Sequence, residues 1–143
     1  MLEGAAGVFG PDADVYGLDQ PLEPEEQAAR EAEQAGAHCD MLPPEMLPGM
    51  VEAQRFRDAG LAHAAIWART MTEGGQVVVI AGSGHADKER GAPALIALAE
   101  PEARVVSLGQ FEGGPPHAEG FDAILHAPAP RRGDPCASVT ARD

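Results

Sequence analysis

Gln76-Val77-Val78-Val79-Ile80-Ala81-Gly82-Ser83-Gly84-His85 is the stretch from which the architecture is read. A continuous β-branched run without polar alternation is what a strand covered on both faces requires. Residues 76–82 are therefore expected to form a central parallel strand, with His85 just past its carboxyl end, on the same rim as His38. Ligands of open α/β sheets collect at that end.

Upstream, a helix is expected to start near Pro48 and stop at Gly74-Gly75. Met50, Ala53, Arg57, Leu61, Ala64, Ala68 and Met71 make one stripe along it, and Phe56, Gly60, His63 and Trp67 a second, which implies packing on two sides. Earlier still, Pro24 to Ala35, with Glu25 and Glu26 in its first turn, reads as a helix closed by Gly36. Between the helices, Pro43, Pro44 and Pro48 force a turn or a short helix.

Downstream, Pro93 to Glu100 has helical composition, and Arg104 to Gly109 and Phe121 to His126 read as two more strands. The strand–helix–strand order predicts that 76–82 and 104–109 pair in parallel. The expected class is α/β, a partial, mainly parallel sheet flanked by helices. Residues 1–21 read as an irregular, loosely held lead-in, 22–137 as the domain and 138–143 as a tail.

Ten Lys plus Arg stand against 23 Asp plus Glu, a formal charge of -13, which repels nucleic acid and anionic membrane surfaces. No run approaches the roughly 20 apolar residues of a membrane span, and Met1 to Gly10 lacks the features of a secretion signal. Cys39 and Cys136 lie almost a full chain apart and leave the redox compartment open. No C-x-x-C or H-x-x-x-H spacing accompanies His38-Cys39, which argues against structural zinc.

Chemistry concentrates in two places. Gly82, Gly84 and His85 permit positive φ, close approach of a ligand and imidazole chemistry; the plainer reading is a strand-end turn with a solvated histidine. On the long helix, Gln54, Arg57 and Asp58 share a face, where they either face a ligand or form a structural network stapling helix to sheet. His63 reads as a packing residue, His117 and His126 have no partner to name, and Tyr16 is a weak candidate for a ferric haem ligand.

Three segments in order carry a resemblance: His38-Cys39-Asp40-Met41-Leu42-Pro43, Met50 to Asp58, and Val79 to Ala86, with Asp134-Pro135-Cys136 at the close. Over residues 15–137 the chain resembles the ChaN-like haem-binding-uptake family of the Tiki superfamily. Its Gly-x-x-His motif falls on Gly82 to His85, its Gln-x-x-Arg-Asp motif on Gln54, Arg57 and Asp58, and a histidine before its proline turn on His38. Where members read Gly-Asn-Gly-His-Ala-Arg, this chain has Ser83 and Asp87; Asp87 would repel a haem propionate, and Lys88 and Arg90 could substitute for the lost cation. The family also has an earlier strand ending in a Gly-Glu-x-His-like motif, so the chain reads as the carboxyl-terminal half of the domain.

The resemblance implies a bacterial haem-binding protein of iron uptake, of a family commonly found as envelope lipoproteins in the cell envelope or periplasm. Haem would be held, without turnover and in an incomplete site, by His85, His38 and the Gln54/Asp58 face, with Arg57, Lys88 or Arg90 meeting propionates. Two alternatives stand beside it: a metal-dependent hydrolase of the Tiki or erythromycin-esterase-like type, for which the chain offers few converging ligands, and a partner-dependent fragment with no ligand of its own. An enzyme is the less favoured outcome. An unpaired strand edge further predicts a homodimer, two copies covering one another.

Overall fold

Two helices organise the computed structural model, which describes residues 4–113 and 118–137. Pro24 opens α2 (Pro24–Ala37) and Pro48 lies in the first turn of α3 (Leu47–Met71), where a residue without an amide donor costs nothing. Before them come α1 (Ala5–Phe9) and a 3-10 turn, Asp14–Tyr16; a second 3-10 turn, Pro44–Met46, fills the proline-punctuated segment. After α3 follow α4 (Ser83–Ala86), α5 (Ala92–Ala99), β1 (Leu108–Glu112) and β2 (Ala123–Ala127). β1 and β2 pair in parallel, Leu108 opposite Ala123 and Glu112 opposite Ala127. The chain is thus α/β, a small parallel sheet with helices around it.

The core sits where α3 crosses residues 5–18 and α5. Ala5, Ala13, Tyr16, Leu18, Ala59, Ala62 and Ala92 are buried together, with Phe9, Phe56, Leu95 and Ile96 packed against them. The lead-in is therefore not loosely held. Tyr16 and Leu18 are each 5% exposed, and Phe9 meets both Tyr16 and Phe56 edge to face. Arg55 bolts this segment to α3, its guanidinium donating to the carbonyls of Gly17 and Gln20, each at 2.7 Å, and to Glu52 at 3.0 Å.

The buried stripe of α3 is Val51, Arg55, Asp58, Ala59 and Ala62. Neither expected stripe is the one that packs: Ala53, Arg57 and Ala64 are exposed, as are Trp67 and Met71 at 62% and 66%. Inward-facing Arg55 and Asp58 find hydrogen-bond partners, which lets charge occupy positions that an apolar count assigns to the surface. The helix ends where expected, Gly74 donating back to the Arg69 carbonyl with φ 85°.

The largest departure concerns residues 76–82. They run without assigned secondary structure, and no strand among the described residues lies against them. Val78 is 79% and Ile80 93% exposed, so the segment is not a buried central strand. A strand is made by its ladder partners, and β-branched composition alone does not provide one. The expected strand at 104–109 begins four residues later, at Leu108, and takes β2 as its parallel neighbour in place of 76–82.

Cys39 and Cys136 form a disulfide across a sequence separation of 97 residues. Two consecutive residues in the left-handed region, Cys39 and Asp40, with φ 58° and 55°, turn the chain out of α2 at this point. A pair that spacing alone left open is thus joined, tying the end of α2 to the closing Asp134-Pro135-Cys136 segment. His117 and the tail 138–143 lie outside the described residues.

Candidate functional site

His85, on the single turn α4, faces the middle of α3. Its Nδ1 lies 2.6 Å from Asp58 Oδ1 and 3.1 Å from the side-chain amide of Gln54. Four-residue spacing on a helix stacks Gln54 and Asp58 on one face, which is why both reach one ring nitrogen. Asp58 is 1% exposed, while the imidazole keeps 22% of its surface open. Its Nε2 makes no hydrogen bond among the described residues.

Burial pushes the Asp58 carboxyl up to about 6, opposed by its hydrogen bond to His85 and by the positive charge that ring can carry.

The backbone carrying His85 is clamped. A Cβ on Gly91 would stand 2.5 Å from the His85 carbonyl oxygen, so only glycine lets α5 begin this close to the loop. The Ser107 hydroxyl donates to the Ala86 carbonyl. Asp87 is 1% exposed and turned inward; its Oδ1 accepts from the Glu89 amide at 2.8 Å, and its Oδ2 lies 3.6 Å from Arg90 Nε. It packs on Gly120, where an added Cβ would come within 2.8 Å of the carboxylate. Asp87 thus holds the loop from inside, with Arg90 beside it, and its negative charge still reaches the site, where it helps to raise the Asp58 carboxyl.

The other residues singled out from sequence are distributed differently. Lys88 donates to Asp122 at 2.5 Å and Arg90 to Glu33 at 2.8 Å, so each cation is already committed to an acid. Arg57 is exposed and has no ion pair among the described residues. His38 caps α2, its Nδ1 2.7 Å from the Gln34 carbonyl, and shares no hydrogen bond with His85. Gly82 has an ordinary extended φ of -64°, and Gly84 is absent from the positive-φ glycines. A Cβ at Gly82 would meet only the His85 ring at 3.8 Å, and one at Gly84 only the Gln54 amide at 3.8 Å. A methyl at either position would thus sit in ordinary contact, and neither glycine is required by an unusual conformation. Tyr16 is buried with its hydroxyl 3.3 Å from His63 Nδ1.

Gln54, Asp58 and His85 all fall within residues 1–96, the part of the chain that matches the family model for haem-binding uptake, Tiki superfamily, ChaN. The chain belongs to this ChaN haem-binding-uptake family. The match takes in α1 and the 3-10 turn as well as α2 to α4, in keeping with the place of Ala5, Ala13, Tyr16 and Leu18 in the core. β1 and β2 lie beyond the matched residues. No curated protein and no solved structure matches the chain. The family is one of haem uptake, so a haem-binding role holds for this ChaN family member at that level.

The residues present suit haem in two respects. A clamped imidazole leaves Nε2 for an iron, and Val78, Val79 and Ile80 put exposed apolar surface immediately before the histidine turn. Of the three cations singled out from sequence, Lys88 and Arg90 are paired with acids, and Arg57 has no ion pair among the described residues.

Proposed function

We propose that this chain binds haem without turnover, with His85 Nε2 as an axial ligand, as a component of bacterial iron or haem uptake. The observation that carries the reading is the fixed imidazole: Nδ1 held by a buried carboxylate and an amide, Nε2 without a partner among the described residues. Haem bound here supplies a ferric centre that accepts an imidazole nitrogen. The chain's own part is to orient that nitrogen, to cover the macrocycle with Val79 and Ile80, and to offer Arg57 to a propionate. The charge of -13 works against capture of an anionic ligand at long range, so affinity must come from these contacts.

The Cys39–Cys136 bond supports an oxidising compartment, such as the cell envelope or periplasm. The exposed Val78 and Ile80 support self-association into a homodimer. Titration of the purified chain with hemin tests the main reading. A saturable Soret band at one haem per chain, lost in His85→Ala, is the expected result; an unchanged band in the variant refutes the assignment. The second reading, hydrolysis, draws on the same dyad, since an imidazole backed by a carboxylate is also a general base. Metal-stimulated ester or peptide cleavage that disappears in His85→Ala, without hemin binding, would favour it.

A further inference from the structure

We propose that Asp58 is the positioning residue of this site: it holds His85 as the Nδ1–H tautomer and thereby turns the Nε2 lone pair toward the ligand. The inference rests on the haem reading for the identity of that ligand, while the geometry belongs to the chain alone. Neither Asp58 nor Gln54 then touches haem. Both act through the imidazole, a different role from the direct cofactor contact expected of them from sequence.

A neutral imidazole has one donor and one acceptor nitrogen, and its partners decide which is which. An ionised carboxylate only accepts, so Asp58 Oδ1 at 2.6 Å draws the proton to Nδ1 and leaves Nε2 unprotonated. Gln54 is placed with its Nε2 3.1 Å from the same nitrogen; a proton on Nδ1 requires the amide to be turned over, so that its oxygen accepts. Histidines that bind metals almost always pass their other N–H to a carboxylate, a carbonyl or water, which fixes the ring and raises its donor strength.

The remaining histidines among the described residues sharpen the contrast. His38 and His126 each place Nδ1 against a backbone carbonyl, at 2.7 and 2.8 Å, and His63 places it against the Tyr16 phenol. His85 alone of these has a carboxylate partner. Both sides of the contact are immobilised. Asp58 precedes Ala59, which with Ala62 is 0% exposed in the core, and the His85 backbone is clamped by Gly91 and Ser107. A ring held at both ends keeps Nε2 in one place before any ligand arrives, which reduces the ordering cost of binding.

The experiment is a nitrogen-15 NMR spectrum of the histidine side chains in the ligand-free chain at pH 8, paired with hemin titration, on the parent, Asp58→Asn and Asp58→Leu. Circular dichroism checks that each variant is folded. The parent is expected to show His85 protonated at Nδ1, and Asp58→Leu to lose that preference. Hemin affinity should fall about 10- to 100-fold in Asp58→Leu, with a smaller fall in Asp58→Asn and a shifted Soret band in both. Should Asp58→Leu fail to fold, Asp58→Ala, which also lacks an acceptor, takes its place. An Nε2-protonated His85 in the parent, or a tautomer indifferent to Asp58, overturns the positioning role even if hemin binds. The stated tautomer in a chain that takes up no hemin upholds the role of Asp58 and sinks the haem reading.

Discussion

Reducing the Cys39–Cys136 bond should cost this chain a large part of its stability. The disulfide closes a loop across a sequence separation of 97 residues. On the chain-entropy model, cross-linking a loop of that length removes about 16 cal/mol/K from the unfolded state, or about 4.7 kcal/mol at 25 °C, near the top of the measured range. Residual structure in the unfolded chain lowers the figure, so a loss of about 3 to 5 kcal/mol is expected. At a urea dependence of about 2 kcal/mol/M, the unfolding midpoint should fall by roughly 2 M. Paired urea titrations of the oxidised protein and of the protein in dithiothreitol, followed by far-ultraviolet circular dichroism, make the measurement. Equal midpoints would refute the reasoning, as would two free thiols titrated in the folded, oxidised preparation.

Raising the pH from about 4 to 6 should destabilise the ligand-free chain. Asp58 is held up at about 6, above the ordinary 3.8 of a free carboxyl, so its contribution is complete below the unfolded value and is lost as pH rises through the folded one. The shift amounts to about 3 kcal/mol, and Asp58→Asn should flatten that stretch of the curve; a parent curve already flat there would contradict it. Replacing His85 by Ala should cost about 1 to 3 kcal/mol at pH 7, because a buried carboxylate loses a partner; this exceeds the near-zero effect expected of a solvated loop histidine, and thermal unfolding distinguishes the two. Arg55→Ala should lose about 2 to 4 kcal/mol through three broken hydrogen bonds, whereas Arg57→Ala should stay within about 0.5 kcal/mol; equal effects would show that the helix faces are misassigned. Gly120→Ala should destabilise by about 1 to 3 kcal/mol, since the new methyl meets the Asp87 carboxylate, and an unchanged melting temperature would count against that contact.

Helices α2, α3 and α5 were legible because their signals are local, whereas α1 lay in a segment read as irregular and α4 in one read as a loop. Pro24, Pro48 and Gly74-Gly75 mark ends that agree with α2 and α3 to within a few residues. Half of the site was legible for the same reason: Gln54 and Asp58 were grouped by helical spacing and His85 by its glycine turn. Their meeting through one ring nitrogen depends on how α4 lies against α3, a tertiary fact with no local signal. The packed stripe of α3 was missed because Arg55 and Asp58 occupy two of its positions, and a count of apolar residues discards such a stripe. A polar residue set among small alanines, as in Asp58-Ala59 and Ala62, is the signal that could have exposed it. Residues 76–82 failed in the opposite sense, since composition registers affinity for a sheet and says nothing of whether a neighbour is there. The pairing of Cys39 with Cys136 required the path of the whole chain between them.

Between Glu73 and His85 the chain carries no charged side chain, and Val78 and Ile80 stand open to water there. Colloidal behaviour follows from that strip. At neutral pH the formal charge of -13 opposes growth beyond small assemblies through that strip. Near the isoelectric point of about 4.6 that mutual repulsion disappears, while the neutral, β-branched, proline-free run remains. Mild acid therefore brings precipitation into competition with solubility, and it does so in a range where the protonated Asp58 makes the folded chain more stable. Turbidity in that range would report contact between folded molecules and not their unfolding.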